Sequence, residues 1–161
     1  MIKILRFNLC ILLVCIGFSS GASETRAGFF LPDNVSEVTS KYHSIRGLII
    51  LAVVINDSIK VNLILDTGCR NLVLFGKKFQ KLFKVQSDKN VQFSGLGDGN
   101  PIIGKLSLKN KVSIQAVIGE KIPIVVVPQQ GVFASYPNVH GVIGYDIFIK
   151  FEIELNPRLQ Q

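Results

Sequence analysis

The sequence is poor in the residues that staple small proteins or hold metals. It has three cysteines and two histidines in 161 residues. Cys10 and Cys15 lie in an N-terminal leader, so only Cys69 remains once that leader is removed, and no intrachain disulfide can form in the mature chain. His43 and His140, with no dense set of acidic or thiol neighbours, do not make a zinc site. Turn or surface positions are expected for both. No long run of one charge and no internal repeat is present, and only 18% of residues are charged, which argues against a disordered chain. The formal charge is +7. Lys77, Lys78, Lys81, Lys84 and Lys89 cluster, but no aromatic-interleaved basic motif accompanies them, so a solvated face that steers acidic partners is expected and no nucleic-acid surface.

Hydrophobic residues make up 48% of the chain, enough for one well-filled domain. The first 22 residues have the layout of a secretory signal. Lys3 and Arg6 are followed by an apolar stretch over Leu9–Phe18, and then by Ser19-Ser20-Gly21-Ala22, with cleavage expected after Ala22. The apolar stretch is short for a bilayer span, so an uncleaved anchor is the lesser alternative. Val14 before Cys15 argues against lipidation there. Cleavage leaves a net charge of +5 and an exported, periplasmic or secreted protein.

Residues 23–44 are polar and read as a linker or loosely attached lead-in. From Gly47 onward, short runs of branched apolar residues predict an all-β domain. Strands are expected over Gly47–Ile55 and Lys60–Leu65, with Asn56-Asp57-Ser58 turning between them, and over Asn71–Phe75. Phe79, Leu82 and Phe83 predict a short amphipathic helix over Gly76–Phe83. Further strands are expected at Ile102–Leu108, Val112–Val117, Ile122–Val127, Val139–Ile143 and Phe151–Leu155, with Pro123 near a strand end and Asp146 capping a short helix. Residues 157–161 form a tail.

Two motifs carry chemistry. The apolar run Val61-Asn62-Leu63-Ile64-Leu65 ends in Asp66-Thr67-Gly68, which puts a carboxylate at the end of a buried strand beside a residue that lets the backbone turn sharply. About 75 residues later stands His140-Gly141-Val142-Ile143-Gly144-Tyr145-Asp146. In this order the pair resembles the retropepsin-like aspartic peptidases, and more closely the bacterial exported aspartyl protease family, from about Ile45 to Asn156.

The resemblance implies a single-lobed, closed retropepsin-like β-barrel over residues 45–156. It implies that Asp66 is the catalytic acid/base, that Thr67 braces two catalytic loops, and that Gly68 allows the turn. Val142, Ile143 and Gly144 would support that loop and help line the pocket. The segment Gly95-Leu96-Gly97-Asp98-Gly99 would form a flap over the substrate; a plain hairpin tip is the alternative. A phosphate-binding loop is excluded there because no Lys-Ser/Thr and no helix start follow. Cys69 stands where many relatives carry Ala or Ser, and packing is the simplest role for it. A Cys69–His140 thiol pair has nothing in its spacing to orient it.

Peptide hydrolysis of this kind needs two carboxylates sharing one proton. Asp57-Ser58-Ile59 lacks the Gly, and Asp146 follows the second motif, so the chain supplies one. A two-fold homodimer supplies the other. The expected protein is an aspartic endopeptidase acting on peptide or protein substrates, with no metal and no other cofactor. The alternative is a non-catalytic peptide-binding module of the same fold.

Overall fold

A computed structural model describes residues 26–83, 85–93, 102–128, 135–136 and 138–161. The leader (1–22) and the flap segment Gly95–Gly99 lie outside the described residues.

Nine strands make one sheet among the described residues. They are β1 (Gly28–Phe30), β2 (Tyr42–Ile45), β3 (Leu48–Ile55), β4 (Ile59–Asp66), β5 (Leu72–Phe75), β6 (Val85–Phe93), β7 (Ile102–Ile114), β8 (Val117–Val127) and β9 (Gly141–Gly144). Helix α1 covers Lys77–Leu82 and α2 covers Tyr145–Phe148. The order β8-β5-β9-β4-β3-β7, with β7 pairing back to β8, closes a six-stranded barrel. β1, β2 and β6 add to β8, β3 and β7.

Strand alternation sends apolar side chains to both faces of this sheet. Leu51, Val53, Ile55, Leu63, Leu74, Ile124 and Ile143 belong to the larger apolar cluster. Ile50, Ile64, Val73, Phe75, Val125, Val127 and Val142 form a second one on the opposite face. Such two-sided burial explains why these strands read as near-continuous apolar runs instead of clean alternation.

The β3–β4 hairpin turns where the sequence indicates. Asn56 and Asp57 adopt φ of 50° and 59°, the left-handed backbone a tight hairpin needs. α1 buries Phe79, and Phe83 just beyond it is buried as well, whereas Leu82 is 56% exposed. The helix ends at Leu82 and Phe83 is already extended, so the three do not form one stripe.

Four segments depart from expectation. The polar lead-in is tied to the sheet: Phe29 in β1 is buried against β8, and β2 pairs with β3. β7 and β8 are long strands reversing at Gln115-Ala116, not three separate short ones. Gln115 takes φ 51° there without any Gly, Asn or Pro to announce a turn. Pro123 therefore lies inside β8, not near its end. It sits where the ladder is interrupted between the pairs Asn110–Ile122 and Ser107–Ile124, so its missing N–H is not needed. Buried Asn110 fills the irregularity by donating to the carbonyls of Ser107 and Ile122. Finally, Phe151–Leu155 is no strand. Phe151 and Ile153 pack on the core, but no described strand offers the segment a partner.

Candidate active site

β4 delivers Asp66 to the barrel rim, and a tight loop follows. The Cys69 N–H donates to the Asp66 carbonyl (3.2 Å), and the Gly68 N–H donates to Asp66 Oδ1 (2.9 Å). The carboxylate is thus aimed by its own loop while Asp66, Thr67 and Gly68 stay exposed. The Thr67 hydroxyl makes no hydrogen bond among the described residues. Tyr145 N–H donates to the Cys69 carbonyl (3.0 Å), fastening α2 to the same loop.

The second motif supports the first from beneath. β9 runs between β4 and β5, parallel to β4, with Ile64 opposite Val142, Leu65 opposite Ile143 and Asp66 opposite Gly144. Both glycines of β9 are required by closeness. A Cβ at Gly144 would lie 1.7 Å from the Asp66 carbonyl oxygen, and one at Gly141 would lie 1.9 Å from that of Val73. Val142 and Ile143 point to opposite faces. Val142 packs with Ile64 and Cys69, on the face that Asp66 shares by alternation with Ile64, and Ile143 packs into the larger cluster. Val91 of β6 and Ile102 and Leu106 of β7 join the Val142 cluster. The antiparallel β6–β7 pair, with Phe93 opposite Ile102, therefore packs on the Asp66 face.

A sequence profile described as aspartyl protease matches residues 51–147, a span holding both motifs. The chain belongs to the aspartyl protease family. Among solved structures it is similar to a retropepsin-like aspartic protease from Rickettsia conorii, with a TM-score of 0.51 and 16% identity, over 74% of this chain and 83% of that one. At that identity the likeness is one of fold, and the fold is retropepsin-like. No curated protein sequence matches the chain.

One expectation beside the site fails. Asp146 is in the first turn of α2 but makes no side-chain cap; Gly144 holds the cap position. Asp146 is half-buried, and burial raises its pKa, with nearby Arg70 acting against this. Cys69 Sγ donates to the Asn71 carbonyl (3.1 Å), and burial, with the charges of Asp66 and Asp146, raises its pKa. It is therefore a packed thiol, not an activated one. Cys69 and His140 share no hydrogen bond.

His140 is not the idle turn residue expected from sequence. It is half-buried, its ring Nδ1 accepts the Asn62 N–H (3.0 Å), and its own N–H donates to the Asn62 carbonyl (2.8 Å). Its carbonyl accepts from Phe75 N–H (2.8 Å), and its ring meets Phe79 edge-on at 6.0 Å. The ring thus satisfies a β4 donor just before β9 begins. Burial, then the charge of Lys78, lowers its pKa from 6.5. A depressed folded-state pKa contributes stability that is full above the unfolded value and lost as pH falls through the folded one. Lowering the pH from 7.5 to 5 is expected to shrink the gap in thermal midpoint between the native protein and His140→Phe, which lacks the acceptor at every pH. A gap constant across that range would contradict this role.

Proposed function

We propose that the protein is an exported aspartic endopeptidase whose active site is completed by a second copy of the chain. The observation that carries this reading is the Asp66 carboxylate. It is exposed at the end of a buried strand, aimed by Gly68 N–H and backed by Gly144. Such a group is held in place yet left free on the side where a partner carboxylate and a water would sit.

In a two-fold dimer, the two Asp66 side chains meet at the axis. Two carboxylates about 3 Å apart cannot both ionise, so one keeps its proton. The ionised Asp66 takes a proton from a bound water, which attacks the scissile carbonyl carbon. The protonated Asp66 of the partner copy donates to the carbonyl oxygen as the tetrahedral intermediate forms. Return of protons to the amide nitrogen and carboxylate breaks the C–N bond. The dyad titrates as a unit with two apparent pKa values. Thr67, whose hydroxyl has no described intrachain partner, is free to brace the two loops across the axis. Residues Glu152–Leu155, whose backbone groups make no hydrogen bond among the described residues, offer further groups for pairing between copies. Residues 95–99 act as the flap, and the leader over 1–22 directs export.

The test is cleavage of a peptide library by residues 23–161, read by mass spectrometry from acid to neutral pH. Discrete cleavage sites are expected. A folded dimer that binds peptides without cutting them would instead make the protein a peptide-binding module.

A further inference from the structure

The rim next to Asp66 carries one feature that neither the catalytic loop nor the barrel requires. The second apolar cluster lies beneath the Asp66 loop, with Ile64 and Val142 buried and Cys69 half-buried against them. Directly beyond it stands Arg70, exposed, with no carboxylate in ion-pair contact among the described residues. Its guanidinium lies over the Tyr145 ring, 5.7 Å from the centroid. The backbone that carries this ring is fastened to the Asp66 loop, because the Tyr145 N–H is bonded to the Cys69 carbonyl. The cation thus sits beside the Asp66 loop against an aromatic face, with its hydrogen-bond donors unused by any carboxylate among the described residues. Asp146 is close enough to influence Arg70 but forms no ion pair with it.

Resting on the peptidase reading above, we propose that Arg70 is a specificity-determining residue that selects substrates with an acidic side chain two or three residues from the scissile bond. The turn from Asp66 to Cys69 closes within the ~7 Å of a β-turn, and Arg70 is one peptide step, ~3.8 Å, further on. An extended peptide advances about 3.3 Å per residue. A substrate side chain two or three positions from the bond at Asp66 thus comes within reach of the guanidinium. Because a two-fold dimer carries two copies of Arg70, the acidic preference falls on both sides of the cleaved bond. The fork geometry of Arg suits a carboxylate, which Lys engages only as a point charge.

The experiment compares matched peptides carrying Glu or Lys at each position around one cleaved bond, with dimerisation followed by sedimentation. The native protein is expected to favour Glu over Lys by about fivefold or more in kcat/KM, through KM, and to lose part of this ratio at high salt. Arg70→Glu inverts the ratio, and Arg70→Lys keeps its sign with a smaller value. An unaltered ratio in dimeric Arg70→Glu would overturn the proposal. So would an equal loss on all peptides accompanied by dissociation, which would place Arg70 between the subunits. Anisotropy of the same peptides bound to Asp66→Asn protein separates this from the peptidase reading. Tighter binding of the Glu peptides sustains the Arg70 assignment even if no peptide is cut, and equal binding of Glu and Lys peptides overturns it.

Discussion

Asp66→Asn protein is expected to retain its fold and lose peptide cleavage by at least about 10³-fold, the scale of a lost acid–base pair. The fold survives because an Asn side-chain oxygen can still accept the Gly68 N–H that now binds Asp66 Oδ1 at 2.9 Å. The position is exposed, so no buried group is orphaned. What disappears is the ability to hold and release a proton. A symmetric substituted dimer has no carboxylate at the axis and cannot deprotonate water. Association is expected to be as tight as in the native protein, or tighter near neutral pH, since two carboxylates in apposition repel. Rates from equal concentrations of the two proteins, with circular dichroism and sedimentation as controls, check all three statements. Residual turnover by the pure substituted dimer would remove Asp66 from the chemistry.

Gly144→Ala is expected to be nearly as damaging for a different reason. The added methyl would sit 1.7 Å from the Asp66 carbonyl oxygen and 2.5 Å from its carbonyl carbon. These are backbone atoms, so β4 or β9 must move. Overpacking of this sort costs about 1–3 kcal/mol, at times more. The displaced atoms belong to Asp66, on which the proposed mechanism rests, so the fraction that still folds should cleave poorly as well. Gly141→Ala is the informative contrast. It would press on the Val73 carbonyl at 1.9 Å, separating β9 from β5. Comparable loss of stability is expected, with a milder loss of activity per folded molecule. Chemical denaturation alongside active-site titration distinguishes the two. Equal specific activity of folded Gly144→Ala and native protein would mean that the β4–β9 spacing does not set the position of Asp66.

Much of this arrangement was legible in the sequence because its elements are announced locally. The β3–β4 hairpin is flagged by Asn56-Asp57, β4 by its apolar run, and the turn after Asp66 by Thr67-Gly68. The glycines at 141 and 144 could be read as parts of a motif, although the backbone atoms they admit could not. What stayed hidden depends on neighbours. The Gln115 turn carries no turn residue, and the irregular ladder that accommodates Pro123 is set by buried Asn110. The attachment of β1 rests on Phe29, a buried aromatic in a segment that reads as polar. Conversely, Phe151–Leu155 has the alternation of a strand but lacks a described neighbour to pair with. His140 looked like a turn residue because nothing in the sequence shows that its ring closes the β4 ladder at Asn62, 78 positions away. Arg70 likewise acquires meaning only through its contact with Tyr145.

The claim at the centre of this account is that two chains share one catalytic site. Adding an equal amount of Asp66→Asn protein to a fixed amount of native protein, after exchange of subunits, tests it directly. If each site needs both Asp66 side chains, random pairing leaves native activity at roughly half, falling further as more substituted chain is added. Activity that stays constant at every mixing ratio, with mixed dimers demonstrated, would contradict the shared site.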